Sequence, residues 1–157
     1  MDNYMKLELM AKSENESFAR SAVAGFALFL NPSLSELSDI KTAVSEAVTN
    51  CVVHAYKNNG DGKICIECTV QRLNDSEGVL HIAVSDFGCG IEDIDRAIVP
   101  FFTTLKEDER SGMGFTIMQT FMSDFSLTSE CGKGTTVRMS KKISAVEYAE
   151  NKERADA

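Results

Sequence analysis

The stretch that decides the fold is Ser45-Glu46-Ala47-Val48-Thr49-Asn50-Cys51-Val52-Val53-His54-Ala55-Tyr56. Apolar residues recur every three or four positions in and before it, which predicts one long helix with a single buried face. Glu46, Asn50 and His54 are each four residues apart. They should therefore line one stripe of the helix, away from the centre of its apolar face. For this helix alone, a solvated polar face is the simpler explanation of that stripe.

Composition limits the classes of protein to which the chain can belong. Its 157 residues are 43% hydrophobic, which predicts one globular domain with a substantial core. A net charge of −8 argues against nucleic acid as a direct ligand. No apolar run approaches the length of a membrane-spanning helix, and no secretory signal opens the chain. We therefore expect a cytoplasmic protein with no membrane contact.

The five cysteines are expected to be reduced thiols that serve as small packing residues. Cys65 and Cys68 form a C-x-x-C pair, but they lie in an alternating segment that predicts a strand. Residues three apart in a strand point to opposite faces, which suits neither a shared metal nor a disulfide between them.

Alternating and helical periodicities predict the remaining elements. Capping boxes at Ser13-x-x-Glu16 and Ser33-x-x-Glu36 open the two predicted long helices. The elements are a strand at 4–11, a helix at 14–30, the long helix from 34, a hairpin of strands at 63–73 and 79–86, a helix at 113–122 and a hairpin of strands at 126–131 and 135–141. We expect residues 1–143 to form the domain and the charged residues 144–157 to be a disordered tail.

Two glycine-rich segments flank an irregular middle region. Asp86-Phe87-Gly88-Cys89-Gly90 follows a strand directly, and its glycines allow a ligand to approach the backbone closely. Ser111-Gly112-Met113-Gly114-Phe115 precedes a helix, whose free N–H groups can bind an anion. About twenty residues separate the two, which is typical of a lid. Gly132-Lys133-Gly134-Thr135 lacks the spacing and the order of a P-loop, and Gly112-x-Gly114 lacks the third glycine of a Rossmann fingerprint.

The ordered motifs resemble those of a known family. Glu46-x-x-x-Asn50, Asp86-x-Gly88-x-Gly90 and Gly112-x-Gly114 resemble the N, G1 and G2 boxes of the Bergerat-fold (GHKL) ATPases. Segments 15–20, 45–50 and 109–118 look like those of the anti-sigma-factor serine kinases. They are closer to the sporulation anti-sigma-F type than to the general stress-response anti-sigma-B type. The resemblance extends over about residues 5–142.

This resemblance implies a two-layer α/β sandwich, a mixed and mostly antiparallel sheet with helices on one face, and a lid over ATP and Mg²⁺. It implies that Asn50 binds Mg²⁺, that Asp86 reads adenine and that the Gly112–Gly114 turn cradles phosphate. An amide oxygen is also a reasonable Mg²⁺ ligand on chemical grounds. Glu46, one turn before Asn50, is placed to take a proton from an attacking hydroxyl. The predicted nucleotide-binding residues are Asn50, Asp86, Gly88, Gly90, Thr104, Arg110, Ser111, Gly112, Met113, Gly114 and Thr135.

The leading functional prediction is an anti-sigma factor that binds a sigma factor of the F type. As an ATP-dependent protein serine/threonine kinase, it would also phosphorylate a serine of its anti-anti-sigma antagonist. The family implies a homodimer. The alternatives are an anti-sigma-B-type kinase, an ATPase of the gyrase or MutL type, and a nucleotide-binding anti-sigma module without kinase activity. A stripe of Glu16, Arg20, Ala24 and Ala27 on the first helix is predicted to face outward and to bind both partners.

Overall fold

A five-stranded sheet and a layer of helices make up the part of the chain described by the computed structural model, which is residues 1–57, 59–99 and 113–145. The elements are β1 Asn3–Met10, α1 Glu14–Ala27, α2 Leu34–Asn50, β2 Lys63–Arg72, β3 Glu77–Asp86, α3 Ile94–Ala97, α4 Gly114–Phe121, β4 Asp124–Glu130 and β5 Gly134–Ser144. A 3-10 turn, Leu28–Leu30, follows α1, and a π turn, Cys51–Ala55, follows α2.

The sheet has the order β1-β2-β3-β5-β4, and each described pair of strands is antiparallel. The predicted α/β class is confirmed, and the sheet is antiparallel at these pairings rather than mixed. Both predicted hairpins are present, β2 with β3 and β4 with β5. Because β5 lies between β3 and β4, the end of β3 meets the start of β5, and Asp86 pairs with Thr135.

The core lies between one face of the sheet and the helices. Alternate residues of β2 and β3 point into it, as the period of two in a strand requires, and Ile64, Ile66 and Ile82 are almost fully buried. From the other side α2 contributes residues spaced four apart, such as Val44 and Val48, which are also fully buried. The apolar face predicted for the long helix is therefore its core-facing side.

Only one of the two predicted capping boxes is present. At the start of α2, Glu36 N–H donates to Ser33 Oγ at 3.1 Å, and Ser33 N–H donates to Glu36 Oε1 at 2.9 Å. At the start of α1, Ser13 has the αR conformation and makes no side-chain cap, and the Glu16 carboxylate binds Arg20 and Ser45. Within the described residues, no helix is both long enough and apolar enough to cross a bilayer.

The prediction that this stripe of α1 faces outward is wrong for two of its four residues. Ala24 and Ala27 are buried, and they pack in the core together with Ala19. Phe18, which the sequence pattern favours as a core residue, is 56% exposed. Small residues let the helix approach its neighbours closely, so the alanine side of α1 faces inward. The exposed residues of this helix include Ser17, Phe18, Ser21 and Gly25.

Two of the five cysteines are not packing residues. Cys51, Cys65 and Cys68 are buried, as predicted, whereas Cys89 and Cys131 are exposed. Both exposed thiols lie in turns rather than in strands or helices. All five are free thiols, and Cys65 and Cys68 are not joined.

Lys141 connects β5, on which it lies, with α2 and α4. Its Nζ lies 2.9 Å from Asp39 Oδ2 on α2, and it donates to the carbonyl of Phe121 at the end of α4 at 2.6 Å. The Lys141 side chain is only 14% exposed. Since it satisfies both a carboxylate and a helix C-terminus, it holds α2 and α4 against β5.

We expect Lys141→Met to destabilise the fold by about 2 kcal/mol, because hydrogen bonds to a charged group are lost while the length of the side chain is kept. The melting temperature should fall by about 4–8 °C for a chain of this size. Lys142→Met is the matched control, since Lys142 is the exposed neighbour on the same strand. Equal melting temperatures of the two variants would contradict this role.

Candidate nucleotide site

The site forms where α2 ends and the helix widens. Tyr56 N–H donates to the carbonyl of Cys51 at 3.1 Å, the i to i+5 bond of a π turn. Such turns are rare and often lie at functional sites. Glu46 and Asn50 remain on regular helix, so the predicted four-residue spacing holds for them. His54 lies in the π turn rather than on regular helix.

A cleft of about 310 Å³ opens beside this turn. Its size suits a small-molecule site. The walls come from α2, the π turn, the end of β3, α3, the start of α4 and the start of β5. The lining residues that matter here are Asn50, Cys51, His54, Asp86, Cys89, Gly90, Glu92, Asp93, Arg96, Gly114 and Thr135.

Glu46 and Asn50 meet the first residue of α4. A Cβ placed on Gly114 would lie 3.2 Å from Asn50 Oδ1 and Nδ2, and 3.2 Å from Glu46 Oε2. Glycine at this position therefore lets the start of α4 approach both polar side chains. The first N–H groups of a helix have no partner within it, and they carry partial positive charge. The carboxylate, the amide and this helix N-terminus thus converge on one point.

Asp86 also lines the cleft, and hydrogen bonds hold its carboxylate in place. It is 7% exposed, and its Oδ1 accepts N–H bonds from Gly88 at 3.0 Å and from Thr135 at 3.2 Å. The Cys51 thiol also donates to its carboxylate. Burial raises the pKa of the Asp86 carboxyl above its usual value, and these three hydrogen bonds oppose that shift. Burial also raises the pKa of the Cys51 thiol well above its usual range, so this donor stays protonated.

Two glycines shape the loop that follows Asp86. A Cβ on Gly88 would lie 2.4 Å from the carbonyl oxygen of Ala55, so only glycine permits this contact with the π turn. Gly90 has φ +76°, and a Cβ there would lie 2.3 Å from the carbonyl oxygen of Glu130. The motif glycines thus wedge the loop between the end of α2 and the β4–β5 turn.

The predicted site residues fall into three groups. Asn50, Asp86, Gly90, Gly114 and Thr135 line one cleft, while Glu46, Gly88 and Met113 adjoin it. Thr104, Arg110, Ser111 and Gly112, together with most of the predicted lid, lie outside the described residues and stay predictions. Glu16 and Arg20 lie on α1 and do not line the cleft.

The sequence patterns did not predict α3, which forms one wall of the cleft. Asp93 caps this single turn of helix, with Arg96 N–H donating to Asp93 Oδ1 at 3.1 Å, and Glu92 and Arg96 line the cleft. An aspartate at position 93 is an N-cap signal, but four helical residues give no periodicity to detect. Cys51 and His54 were also missed as cleft residues, because the pattern places them in the core and at the end of the helix.

The residues present fit an adenine nucleotide with Mg²⁺. A fixed carboxylate can accept a hydrogen bond from the exocyclic amine of adenine. An amide oxygen can join phosphate oxygens and water as a ligand of Mg²⁺. The space at Gly114 that a Cβ would fill adjoins Glu46 and Asn50, and the free N–H groups at the start of α4 suit phosphate there. In such a complex Asp86 would form the base end of the site, and Gly114 with Glu46 and Asn50 the phosphate end.

Comparison with known proteins gives the family. Residues 9–141 match the family described as "Histidine kinase-like ATPase domain". The anti-sigma F factor of Caldanaerobacter subterraneus subsp. tengcongensis is 52% identical over 142 residues, which is 90% of this chain and 95% of that protein. This chain belongs to the anti-sigma F factor family. The Geobacillus kaustophilus member is 50% identical over 143 residues, which is 91% of this chain and 94% of that protein.

Solved structures support the same fold for this anti-sigma F factor family member. One is the crystal structure of the RsbU and RsbW domains of Rv1364c from Mycobacterium tuberculosis, with a TM-score of 0.63 and 18% identity over 94% of this chain and 35% of that one. Another is the mycobacterial sensor histidine kinase MprB, with a TM-score of 0.51 and 11% identity over 92% of this chain and 100% of that one. These two structures therefore support the fold of this chain.

Proposed function

We propose that this anti-sigma factor is also an ATP-dependent protein serine kinase. It would bind a sigma factor of the F type and phosphorylate a serine of the anti-anti-sigma antagonist. The observation that carries the proposal is the convergence of Glu46 and Asn50 on Gly114, beside the cleft that Asp86 also lines. A nucleotide-binding module alone would need no carboxylate beside the phosphates.

Each residue has a separate task in this reaction. Asp86 accepts a hydrogen bond from the adenine amine and so fixes the base. Asn50 Oδ1 would be a ligand of the metal beside the phosphates. Bound Mg²⁺ would neutralise charge on the phosphoryl oxygens. Glu46 takes the proton of the attacking serine hydroxyl, a phosphate ester forms at that oxygen, and ADP leaves.

The direct experiment is incubation of the purified protein with ATP, Mg²⁺ and its cognate anti-anti-sigma protein, with phosphoserine as the readout. A phosphorylated antagonist supports the kinase. Sigma-factor binding without any phosphoserine would instead assign the chain to the binding modules. We further propose a cytoplasmic homodimer, as expected of a protein that captures a sigma factor.

The partner surface is proposed to lie around Arg20 on α1. Arg20 Nη1 is 2.8 Å from Glu16 Oε1, and Glu16 in turn accepts a hydrogen bond from Ser45 on α2. The guanidinium is thereby anchored to the helix that carries Glu46. The exposed neighbours Ser17, Phe18 and Ser21 give the surface a small, partly apolar character. This face replaces the alanine stripe, which is buried.

Arg20→Glu is expected to weaken binding of both partners by about 1–2 kcal/mol, the usual range for an interface arginine. ADP affinity should not change, because Arg20 lies outside the cleft. Titration of labelled sigma factor and antagonist against the variant measures both effects. Lys41→Glu, an exposed charge reversal on α2, is the control. Wild-type affinity of the Arg20 variant for both partners would move the interface elsewhere.

A further inference from the structure

The loop after Asp86 caps the end of the long helix. The last carbonyls of a helix lack intrahelical partners. Here the carbonyl of Ala55 accepts the N–H of Cys89 at 3.3 Å, and that of His54 accepts the Cys89 thiol at 3.5 Å. Gly88 makes this approach possible. The helix that carries Asn50 and the loop that carries Asp86 are therefore joined directly.

Tyr56, the residue after the π turn, makes a second connection. Its hydroxyl accepts the N–H of Phe87 at 2.7 Å and donates to the carbonyl of Lys63 at 2.6 Å. The ring is half-buried and packs so tightly over Gly62 that a Cβ there would lie 2.4 Å from the ring carbons. The position of the phenol is thus fixed by both its ring and its hydroxyl.

The register of the sheet explains what the hydroxyl does. Asp86 pairs with Ile64 in the last rung between β3 and β2, so the next rung would pair Phe87 with Lys63. The Tyr56 hydroxyl lies between these two residues and replaces their direct N–H to carbonyl bond. The strands must separate by the width of one oxygen. The chain therefore leaves the sheet immediately after Asp86 and turns toward the cleft.

We propose that Tyr56 is the positioning residue that sets the preference of Asp86 for adenine. The inference rests on the proposed nucleotide site, and it goes further by assigning selectivity to a side chain that does not line the cleft. Without the hydroxyl, Phe87 either pairs directly with Lys63 or keeps an unsatisfied N–H. Direct pairing draws Phe87 toward β2, whereas an N–H without a partner leaves the backbone after Asp86 unanchored, and in both cases the carboxylate is no longer held in position toward the exocyclic amine.

Tyr56→Phe tests the proposal, with ADP and inosine diphosphate as probes at fixed Mg²⁺. Inosine carries a carbonyl where adenosine carries the exocyclic amine, so Asp86 can favour only ADP. Calorimetry should show ADP affinity reduced roughly five- to tenfold, the size of one hydrogen bond. Inosine diphosphate affinity should stay near that of the wild type, so the ratio of the two affinities falls.

Tyr4→Phe is the matched control, because it also removes one phenol hydrogen bond, to Glu67 at 2.9 Å on the outer face of the sheet. It should leave both affinities unchanged. Amide exchange gives a second readout, in which the Phe87 amide of Tyr56→Phe exchanges faster while Val84 within β3 stays protected. Equal losses for both nucleotides, or no loss for either, would overturn the positioning role. A wild-type protein that binds neither nucleotide overturns the proposed site itself, and the inference with it.

Discussion

Glu46→Gln is expected to slow phosphoryl transfer to the antagonist serine by about 10²-fold or more, the usual contribution of a positioned general base. The amide keeps the size of the carboxylate but cannot take the proton of the attacking hydroxyl. ADP affinity should be nearly unchanged, because Asp86 and Asn50 are untouched. Single-turnover phosphorylation with saturating ATP isolates the chemical step from binding.

The geometry makes this substitution informative. Glu46 Oε2 would lie 3.2 Å from a Cβ on Gly114, so the carboxylate faces the start of α4 rather than the core. Glu8→Gln on the exposed face of β1 is the control for loss of one negative charge. A Glu46→Gln rate close to that of the wild type would remove Glu46 from the mechanism. Loss of ADP binding would indicate a structural role instead.

The motif residues were predictable because their chemistry is local. Asp86 is the last residue of a strand, and glycines at 88 and 90 permit close backbone contacts, with Ala55 and Glu130 respectively. Requirements for an acceptor side chain or for a glycine appear in the sequence as particular residue types at fixed spacing. The pairing of Asp86 with Thr135 was not visible in the same way, because it depends on β5 entering the sheet beside β3.

The orientation of α1 was predicted wrongly for a physical reason. The pattern assigned the large residue Phe18 to the core, whereas the structure buries the small ones, Ala19 and Ala27. Close packing of a helix selects for residues that fit the gap rather than for the most hydrophobic ones. Exposed Phe18 and Leu28 then remain on the surface. When a helix carries apolar residues on two sides, periodicity alone does not show which side is buried.

The π turn could not be predicted from the sequence either. Residues 51–55 continue the helical pattern of α2 without a glycine or proline to interrupt it. The wider turn is accompanied by tertiary contacts with the loop after β3. Cys89 and Gly88 contact the carbonyls of His54 and Ala55, and Tyr56 bonds to Phe87. Residues more than 30 positions away in the chain thus supply its partners, and no local window contains them.

Asn50 and Asp86 should separate into a metal-dependent and a metal-independent effect. Asn50→Ala is expected to lower ADP affinity about tenfold in Mg²⁺, and to have little effect in EDTA, because its oxygen is proposed to contact only the metal. Asp86→Asn should lower ADP affinity by about 10- to 100-fold in both conditions, since a hydrogen bond to a charged group is lost at the base. Calorimetry in the two buffers gives all four values.

Conservative variants and pH sharpen the comparison. Asn50→Asp keeps an oxygen ligand and should retain binding in Mg²⁺. Burial raises the pKa of the Asp86 carboxyl, and the protonated acid is a poorer acceptor for the adenine amine. ADP affinity of the wild type should therefore be complete well above that raised pKa and fall as the pH drops through it. Asp86→Asn cannot ionise, so its weaker affinity should lack this fall. Equal losses for Asn50→Ala and Asp86→Asn in EDTA, or an acid limb that persists in Asp86→Asn, would show that the base and phosphate ends have been assigned wrongly.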